Sequence, residues 1–309
     1  MTDYNILGIT DSKKWNDYLL KLPRQQQDIY FTPEYYSLYE QCGEGQAQCF
    51  VYDNDGKVAI YPFLKNSINK LGYVLSKDYY DIQGAYGFNG IIANCSSSQF
   101  LSDLSATFQR YCTDNNIVAE FIRFNAIIEN QLFSSYLIPF YTLDIIIINL
   151  EPPIENIWNN SLESRARTAI NKAIRSGLEF NVITGNEISS NDIEQFTTIY
   201  YSTMKRNNAD DFYFFSEEYF SQLIKKMPDN LLLSFVKKDG IAISTEIDLF
   251  KNENAYAFLG GTLSEYNIYN PNSFLRFEFV KVLKNIGVKK YLIGGGHTRN
   301  DGIYKYKKS

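Results

Sequence analysis

The residues whose types suit acid–base chemistry lie close together in the segment IAISTEIDLF, residues 241–250. Ser244, Glu246 and Asp248 alternate there with apolar residues, which is typical of a strand with one polar face. A carboxylate on a face that lines a cleft can accept a proton from an amine, so Glu246 is a candidate general base. The same alternation fits a strand that faces solvent, and the sequence leaves both interpretations open.

A second group of candidates lies near the C-terminus, in GGGHTRNDGIYKYKKS. His297 is the single histidine of the chain and the four cysteines show no CxxC spacing, so we expect no metal site. His297 either contacts a ligand in the glycine-rich turn or is a hydrogen-bonded surface residue. Lys307, judged by local pattern alone, belongs to a solvated basic tail.

A basic ridge is predicted on a helix in the middle of the chain. The segment NNSLESRARTAINKAIRSGLEF predicts a helix over about residues 161–176 that ends at Gly177. Arg165, Lys172 and Arg175 cluster within roughly 80° of one another on the helical wheel. Such a cluster is either a solvated face or an edge that binds the phosphates of a cofactor. Lys172 and Arg175 are the cofactor-binding candidates on this helix.

An amphipathic helix is predicted between Pro271 and Gly287. Its apolar stripe repeats at 3.6-residue spacing and consists of Leu275, Phe279, Val282, Leu283 and Ile286. Asn272 is the predicted N-cap, and Gly287 suits the left-handed residue after the last turn. Asn270, Asn272 and Ser273 can bind a phosphate at the start of this helix, although plain helix capping explains Asn272 equally well.

Composition and charge narrow the class of protein. Hydrophobic residues make up 45% of the 309-residue chain and charged residues 21%, as in soluble globular proteins. The net charge of −5 argues against a broad nucleic-acid-binding surface, so we expect no DNA partner. The N-terminal segment lacks the features of a secretory signal, and the longest apolar block, Ile145–Ile148, is too short to span a bilayer. The sequence therefore predicts a cytoplasmic protein with no integral membrane segment.

The predicted elements occur in the same order twice. Each half shows helix, helix, hairpin, strand, helix and strand, and an Asp-Gly dipeptide marks the hairpin turn of each half. Pro152 and Pro153 stop the strand that precedes them, which predicts a domain boundary between residues 1–150 and 151–309. The fold class predicted is α/β (α+β), with two similar domains that each have a mixed central sheet flanked by helices.

Four ordered stretches carry a resemblance to a known family. They are DIQGAYGFNGII, EFIRFNAIIEN, RTAINKAIRSG, and a closing series that runs from FLGGTLSEYN through PNSFLRFE and LIGGG to DGIYKYKKS. Together they resemble the FemAB-like branch of the GNAT N-acyltransferase superfamily, which includes peptidoglycan bridge-forming aminoacyl transferases. The resemblance covers nearly the whole chain and implies two tandem GNAT-like domains.

The resemblance also implies roles for the two domains and for single residues. The first domain lies on the acceptor side, and the second, which includes the basic helix, lies on the acyl-donor side. Lys307 is similar to the family's functional lysine, which contacts a substrate phosphate or developing negative charge. The loop before the amphipathic helix corresponds to the place where GNAT folds bind a pyrophosphate. Substrate-binding residues implied in this way are Tyr86, Asn89 and Arg123. Gly260, Gly261 and His297 are further candidates for substrate binding.

Three functions follow as hypotheses. The first is an N-acyltransferase that moves an acetyl or aminoacyl group to the amine of an amino sugar or cell-envelope precursor, with acyl-CoA as donor. The second uses aminoacyl-tRNA as donor, and the acidic charge balance weighs mildly against it because tRNA binding favours a basic groove. The third is a non-catalytic binding protein on a degenerate acyltransferase scaffold.

Overall fold

The computed structural model describes residues 4–309 and divides into two compact units, up to Tyr141 and from Thr142 onwards. The sequence predicted the boundary nine residues later, after residue 150. The segment Ile145–Asn149, which this prediction assigned to the first domain, instead pairs with a strand of the second sheet. No helix within the described residues is both long enough and apolar enough to cross a bilayer.

The first unit is a mixed six-stranded sheet with helices. Its elements in chain order are β1 (Tyr4–Leu7), α1 (Ser12–Leu19), α2 (Pro33–Gln41), β2 (Gln46–Asn54), β3 (Lys57–Ser67), β4 (Tyr80–Gln83), β5 (Ile92–Ala93), α3 (Ser98–Asp114) and β6 (Ile117–Phe121). The strand order is β1-β2-β3-β4-β6, with the short β5 paired to β3. Among the strand pairs of this unit that the structure describes, only β4–β6 is parallel. The glycine-rich segment DIQGAYGFNGII is split between β4 and β5.

The second unit repeats this arrangement and extends it. Its elements are β7 (Ile145–Asn149), α4 (Ile154–Asn156), α5 (Ser164–Arg175), β8 (Leu178–Thr184), α6 (Ser190–Arg206), α7 (Glu217–Lys226), β9 (Leu231–Lys238), β10 (Ile241–Lys251), β11 (Asn254–Thr262), α8 (Pro271–Asn285), β12 (Lys290–Gly295) and α9 (Gly302–Lys308). The strand order is β7-β12-β11-β10-β9-β8, and the β11–β12 pair is parallel. The elements from α6 to β12 follow the order from α1 to β6, so the predicted repeat of element order is confirmed.

Local sequence explains why these elements form where they do. The β2–β3 and β9–β10 hairpins each turn at an Asp-Gly pair in which both residues have positive φ, near 52° and 81°, as a two-residue turn requires. Thr32 caps α2 by accepting a hydrogen bond from the backbone N–H of Tyr35, and Pro33 occupies the first helical position. Ser189 and Asp192 form a capping box at the start of α6.

Two helix boundaries differ from the sequence prediction. The basic helix begins at Ser164, after a π-helical turn over Ile157–Ser161, because the guanidinium of Arg167 binds carbonyl groups of that turn and of Leu162. The N-cap of α8 is Asn270, with φ of 56°, and Asn272 lies inside the first turn. The basic tail is a helix, α9, which the sequence did not predict.

Candidate functional site

The polar face of β10 is covered by helix α8 and does not face solvent. Glu246 is 8% exposed, and its Oε1 atom accepts a hydrogen bond from Nη2 of Arg276 at 2.8 Å. β10 is an interior strand between β9 and β11, so a charged group on it needs a partner from the covering helix. The carboxylate of Glu246 is therefore held in an ion pair, which does not fit the role of a free general base.

Asp248 and Tyr291 continue this group of polar residues. The Tyr291 hydroxyl donates to Oδ1 of Asp248 at 2.5 Å and is itself contacted by Nη1 of Arg276. Oδ2 of Asp248 is buried and has no hydrogen-bond partner among the described residues. Burial, reinforced by the charge of Glu246, raises the pKa of Asp248 well above its usual range. We call Glu246, Asp248, Arg276 and Tyr291 the buried polar cluster.

Lys307 reaches the edge of this cluster from helix α9. Burial and the neighbouring Arg276 lower the pKa of Lys307 to about 8, and the carboxylates of Glu246 and Asp301 oppose part of that shift. A Cβ atom built on Gly294 would lie 3.1 Å from the Lys307 Nζ atom, so the ammonium group packs directly against this glycine. The lysine that the resemblance singled out is thus a semi-enclosed amine beside a guanidinium.

Asp301 fixes the start of α9. Its carboxylate accepts hydrogen bonds from the backbone N–H groups of His297 at 2.6 Å, Thr298 at 3.0 Å and Tyr304 at 2.7 Å. These bonds lower the pKa of Asp301. The imidazole of His297 is exposed, so the residue takes part in this cap through its backbone N–H.

The basic helix α5 holds the other end of α9. Nη2 of Arg165 donates to the carbonyl of Lys305 at 2.8 Å, and the N–H of Glu163 donates to the carbonyl of Ser309 at 2.8 Å. Lys172 and Arg175 are exposed and do not line the cavity described next. The predicted basic ridge is therefore divided between Arg165, which binds α9, and two solvent-facing residues.

A cavity of about 440 Å³ lies in the second unit among β7, α5, α8, β12 and α9. Most of its lining residues are apolar, among them Ile146, Ile148, Leu162, Ala166 and Ile293. Its polar lining includes Ser273, Arg276, Tyr306 and Lys307. These four belong together, because the Tyr306 hydroxyl hydrogen-bonds with Ser273 and Lys307 neighbours Arg276. The cavity and the buried polar cluster thus share Arg276, with Lys307 beside both.

The parallel strands β11 and β12 separate next to Lys307. They pair only where Asn254–Tyr256 lies against Lys290–Leu292. Beyond that point β12 continues with β7, through Gly294 and Gly295, while β11 continues with β10. At Gly294, β12 is therefore not paired with β11. Lys307, which packs against Gly294, lies at the opening between these two strands.

The start of α8 offers fewer free side chains to a phosphate than the sequence predicted. Oδ1 of Asn272 accepts hydrogen bonds from the hydroxyl groups of Ser244, at 3.0 Å, and Thr262. Asn272 therefore ties α8 to β10 and β11. Of the three residues predicted to bind phosphate here, Asn270 occupies the left-handed cap and Ser273 lines the cavity.

The two predicted substrate-binding glycines of β11 have packing reasons to be glycine. Gly260 lies opposite Glu246 in the sheet, and a Cβ atom there would approach the carbonyl of Thr245 to 2.7 Å. A Cβ atom on Gly261 would lie 2.8 Å from the carbonyl of Ile199 in α6. Close packing of helix α6 on the sheet thus accounts for Gly261.

The predicted acceptor residues of the first unit lie near the end of β6. Asn89 is 1% exposed; its amide donates to the carbonyl of Phe121 at 3.0 Å and accepts from the N–H of Arg123 at 2.7 Å. Asn89 therefore holds the glycine-rich loop to the strand. The side chain of Arg123 is exposed, and the carbonyl of Tyr86 accepts a hydrogen bond from Tyr35.

Sequence reasoning missed Arg276 and Tyr291. Arg276 is one cation on an amphipathic helix, and such a residue is ordinarily a solvated one. The available signal was the pair of carboxylates two residues apart on β10, because a buried polar strand face requires a cationic or hydroxyl partner from the element that covers it.

Comparison with known proteins gives the family. A family model described as peptidoglycan biosynthesis/recognition matches residues 93–280. The chain belongs to the FemAB-like family. This confirms the resemblance drawn from the four ordered motifs.

Solved structures agree in fold. The crystal structure of FemX superimposes with a TM-score of 0.71 at 14% identity, covering 98% of this chain and 93% of that chain. A conserved protein of unknown function from Bacteroides thetaiotaomicron gives a TM-score of 0.58 at 11% identity, covering 99% and 94%. No curated protein is significantly similar in sequence. The two-domain α/β fold predicted from the sequence is thereby confirmed.

Proposed function

We propose that this FemAB-like protein is an N-acyltransferase that acts on an amino group of a peptidoglycan precursor. The observation that carries the proposal is the position of Lys307, whose ammonium packs against Gly294 where β11 and β12 separate, beside Arg276. Membership in a family described by peptidoglycan biosynthesis/recognition supports the class of acceptor.

The arrangement suits the charge changes of acyl transfer. The acceptor amine attacks the carbonyl carbon of the donor, and the carbonyl oxygen becomes an oxyanion that the Lys307 ammonium stabilises. This attack forms the C–N bond, and the oxyanion then collapses to the amide carbonyl as the bond from the carbonyl carbon to the leaving oxygen of an ester donor breaks. One proton is lost by the amine and one is gained by the leaving oxygen. A lysine with a pKa of about 8 can donate the second proton and recover the first near neutral pH.

The start of α8 favours an aminoacyl-tRNA ester over acyl-CoA as donor. Pro271 has no N–H to offer a pyrophosphate, and the Asn272 side chain is bound to Ser244 and Thr262. The preceding segment is a 3₁₀ helix, Ser264–Tyr269, whose tyrosines pack against the apolar core. A pyrophosphate therefore finds few free donors here.

Exposed cations around α9 support a polyanionic donor. Lys305 and Lys308 are exposed on α9, and Arg165 of α5 contacts the same helix. Although the whole chain carries a net charge of −5, Lys307 and Lys308 both line the cavity, while Arg165 is also paired with Glu163 at 2.9 Å. The thioester donor expected first from the sequence thus becomes the alternative.

The test supplies both donors to the same acceptor. Purified protein is incubated with an amine-bearing peptidoglycan precursor and either tRNA charged with a labelled amino acid or acyl-CoA. We expect label to move from tRNA to the precursor, with no thiol released from acyl-CoA. Transfer from acyl-CoA alone would overturn the assignment of donor. Precursor binding without transfer from either donor would identify a non-catalytic binding protein instead.

A further inference from the structure

The cavity in the second unit has a shape and chemistry that the transfer reaction by itself does not require. Its volume of about 440 Å³ falls in the range of small-molecule sites, and apolar side chains from β7, α5 and β12 form most of its wall. A site that held only a small polar acyl group would have little use for such a lining.

The polar groups of this cavity are grouped together. Ser273, Tyr306, Lys307 and Arg276 are neighbours, and the guanidinium of Arg276 is already paired with Glu246 at 2.8 Å. Among these four residues Lys307 is therefore the cation available to a ligand, and the exposed Lys308 also lines the cavity. The carbonyl or carboxylate oxygen of an acyl group fits beside its ammonium, and a chain attached to that group extends along apolar surface.

We propose that this cavity binds the apolar chain of an acyl group, with its carbonyl end at Lys307. This inference rests on the proposed function for its role in catalysis. It adds to that function the class of the acyl group, which is apolar. Two sources share this chemistry: a fatty acyl chain, and an amino acid with an apolar side chain. A polar side chain would leave its donors and acceptors without partners against Ile146, Ile148 and Ile293, so the site discriminates against it.

Binding of simple carboxylates tests the cavity without tRNA or acceptor. Isothermal titration calorimetry is performed with acetate, hexanoate and decanoate, and in a second arm with N-acetylalanine and N-acetylphenylalanine. Each added methylene buried in the cavity is expected to tighten binding by about fourfold until the cavity is full. Tightening along the first series alone identifies a fatty acyl chain, and a gain for N-acetylphenylalanine over N-acetylalanine identifies an apolar aminoacyl group.

Variants locate the binding. Ala166→Leu fills part of the cavity and is expected to weaken decanoate binding at least about tenfold while acetate binding is unchanged. Ala169→Leu is the matched control, since it makes the same substitution on α5 at a residue that does not line the cavity. Ile148→Ala enlarges the cavity and is expected to weaken hexanoate binding, which gives a second readout if Ala166→Leu does not fold. Lys307→Met is expected to remove the preference for decanoate over decanol.

The outcomes separate this inference from the proposed function. Affinity that does not depend on chain length, or that Ala166→Leu and Ile148→Ala both leave unchanged, overturns the inference even if transfer is observed. Chain-length-dependent binding that is lost in Ala166→Leu supports it even if neither donor is used.

Discussion

Nη2 of Arg276 lies 2.8 Å from Oε1 of Glu246, and this ion pair joins helix α8 to the interior strand β10. The two side chains retain only 21% and 11% of their exposure. Because little water is left to solvate a charge whose partner is removed, the pair matters to the fold as well as to the site.

Glu246→Gln is expected to lower the free energy of unfolding by about 2 to 3 kcal/mol, since it leaves Arg276 largely buried without a counter-charge. Urea unfolding measures the change. Adding Arg276→Met should restore part of the loss, because the double variant has no unpaired charge. Lys13→Met is the control: it breaks the exposed pair with Asp17 and should cost less than about 0.5 kcal/mol. Equal losses from Glu246→Gln and Lys13→Met would contradict the proposed importance of burial.

Lys307→Ala is expected to lower kcat/KM for acyl transfer by about 100-fold to 1000-fold, as for loss of one donor to an oxyanion. Folding stability should change by less than about 1 kcal/mol, because burial disfavours the ammonium and so offsets what its contacts contribute. Lys225→Ala in the same unit is the control, since its side chain is exposed on α7 and does not line the cavity. Unchanged turnover in Lys307→Ala would remove this residue from the mechanism.

The pH dependence of transfer should report the pKa of Lys307, which is lowered to about 8. If the ammonium is the active form, kcat/KM is constant below this value and falls above it. Lys307→Arg should lose the falling limb, because a guanidinium stays protonated throughout. A rate that instead rises through the same pH range would show that the neutral amine acts as a base.

The same pKa has a consequence for stability, with the opposite sign from an ordinary ion-paired lysine. Because the folded pKa lies below the unfolded one, the unfolded chain binds more protons between the two values. The contribution of Lys307 to the free energy of unfolding therefore rises with pH from about 8 to the ordinary lysine pKa of 10.5. Chemical unfolding of the wild type and Lys307→Met at several pH values measures this; a difference that does not vary with pH would contradict it.

Gly294→Ala and Gly287→Ala form a matched pair of substitutions. Both glycines have positive φ, 76° and 88°, so each variant should lose about 1 kcal/mol of stability from backbone strain. A Cβ atom on Gly294 would press on the Lys307 Nζ atom at 3.1 Å, whereas one on Gly287 would meet nothing within 4 Å. Only Gly294→Ala should therefore change the transfer activity and the pH above which kcat/KM falls. Equal activity losses in both variants would show that strain alone is responsible.

Asp248→Asn tests the buried carboxyl. Its raised pKa means that the folded protein binds more protons than the unfolded chain above pH 3.8, so this group makes the folded state less stable as pH rises. Asparagine keeps the acceptor for the Tyr291 hydroxyl and removes that dependence. The variant should gain stability relative to the wild type as pH rises from about 4, measured by urea unfolding at acid and neutral pH. A constant difference would mean that Asp248 is ionised in the folded protein.

Elements with local signals were predictable. The two Asp-Gly hairpins and the order of strands and helices were evident because turn chemistry acts within a few residues. Helix α9 was not predicted, because its basic, aromatic sequence has no apolar stripe. Its position depends on Asp301, Arg165 and Glu163, and two of these lie some 140 residues away.

The candidate site likewise combines residues that the sequence identified with contacts that it did not predict. Glu246 and Lys307 were identified from a strand alternation and from the family resemblance, respectively. Their proximity to Arg276 follows from how α8 crosses β10, which a sequence pattern does not specify. The domain boundary was misplaced for a related reason: the prolines after β7 are a true stop signal, but the partner of that strand, β12, is distant in sequence.

The pairing of β7 with β12 has a kinetic consequence. It brings Ile145–Asn149, the first strand of the second unit, against Lys290–Gly295, its last. Bringing these two strands together closes a loop that spans almost the whole second unit. The entropic cost of that closure precedes any stabilising contact between the strands, so this edge of the sheet should form late in folding. Amide hydrogens of β7 are therefore expected to gain protection after those of the β9–β10 hairpin in pulse-labelled refolding.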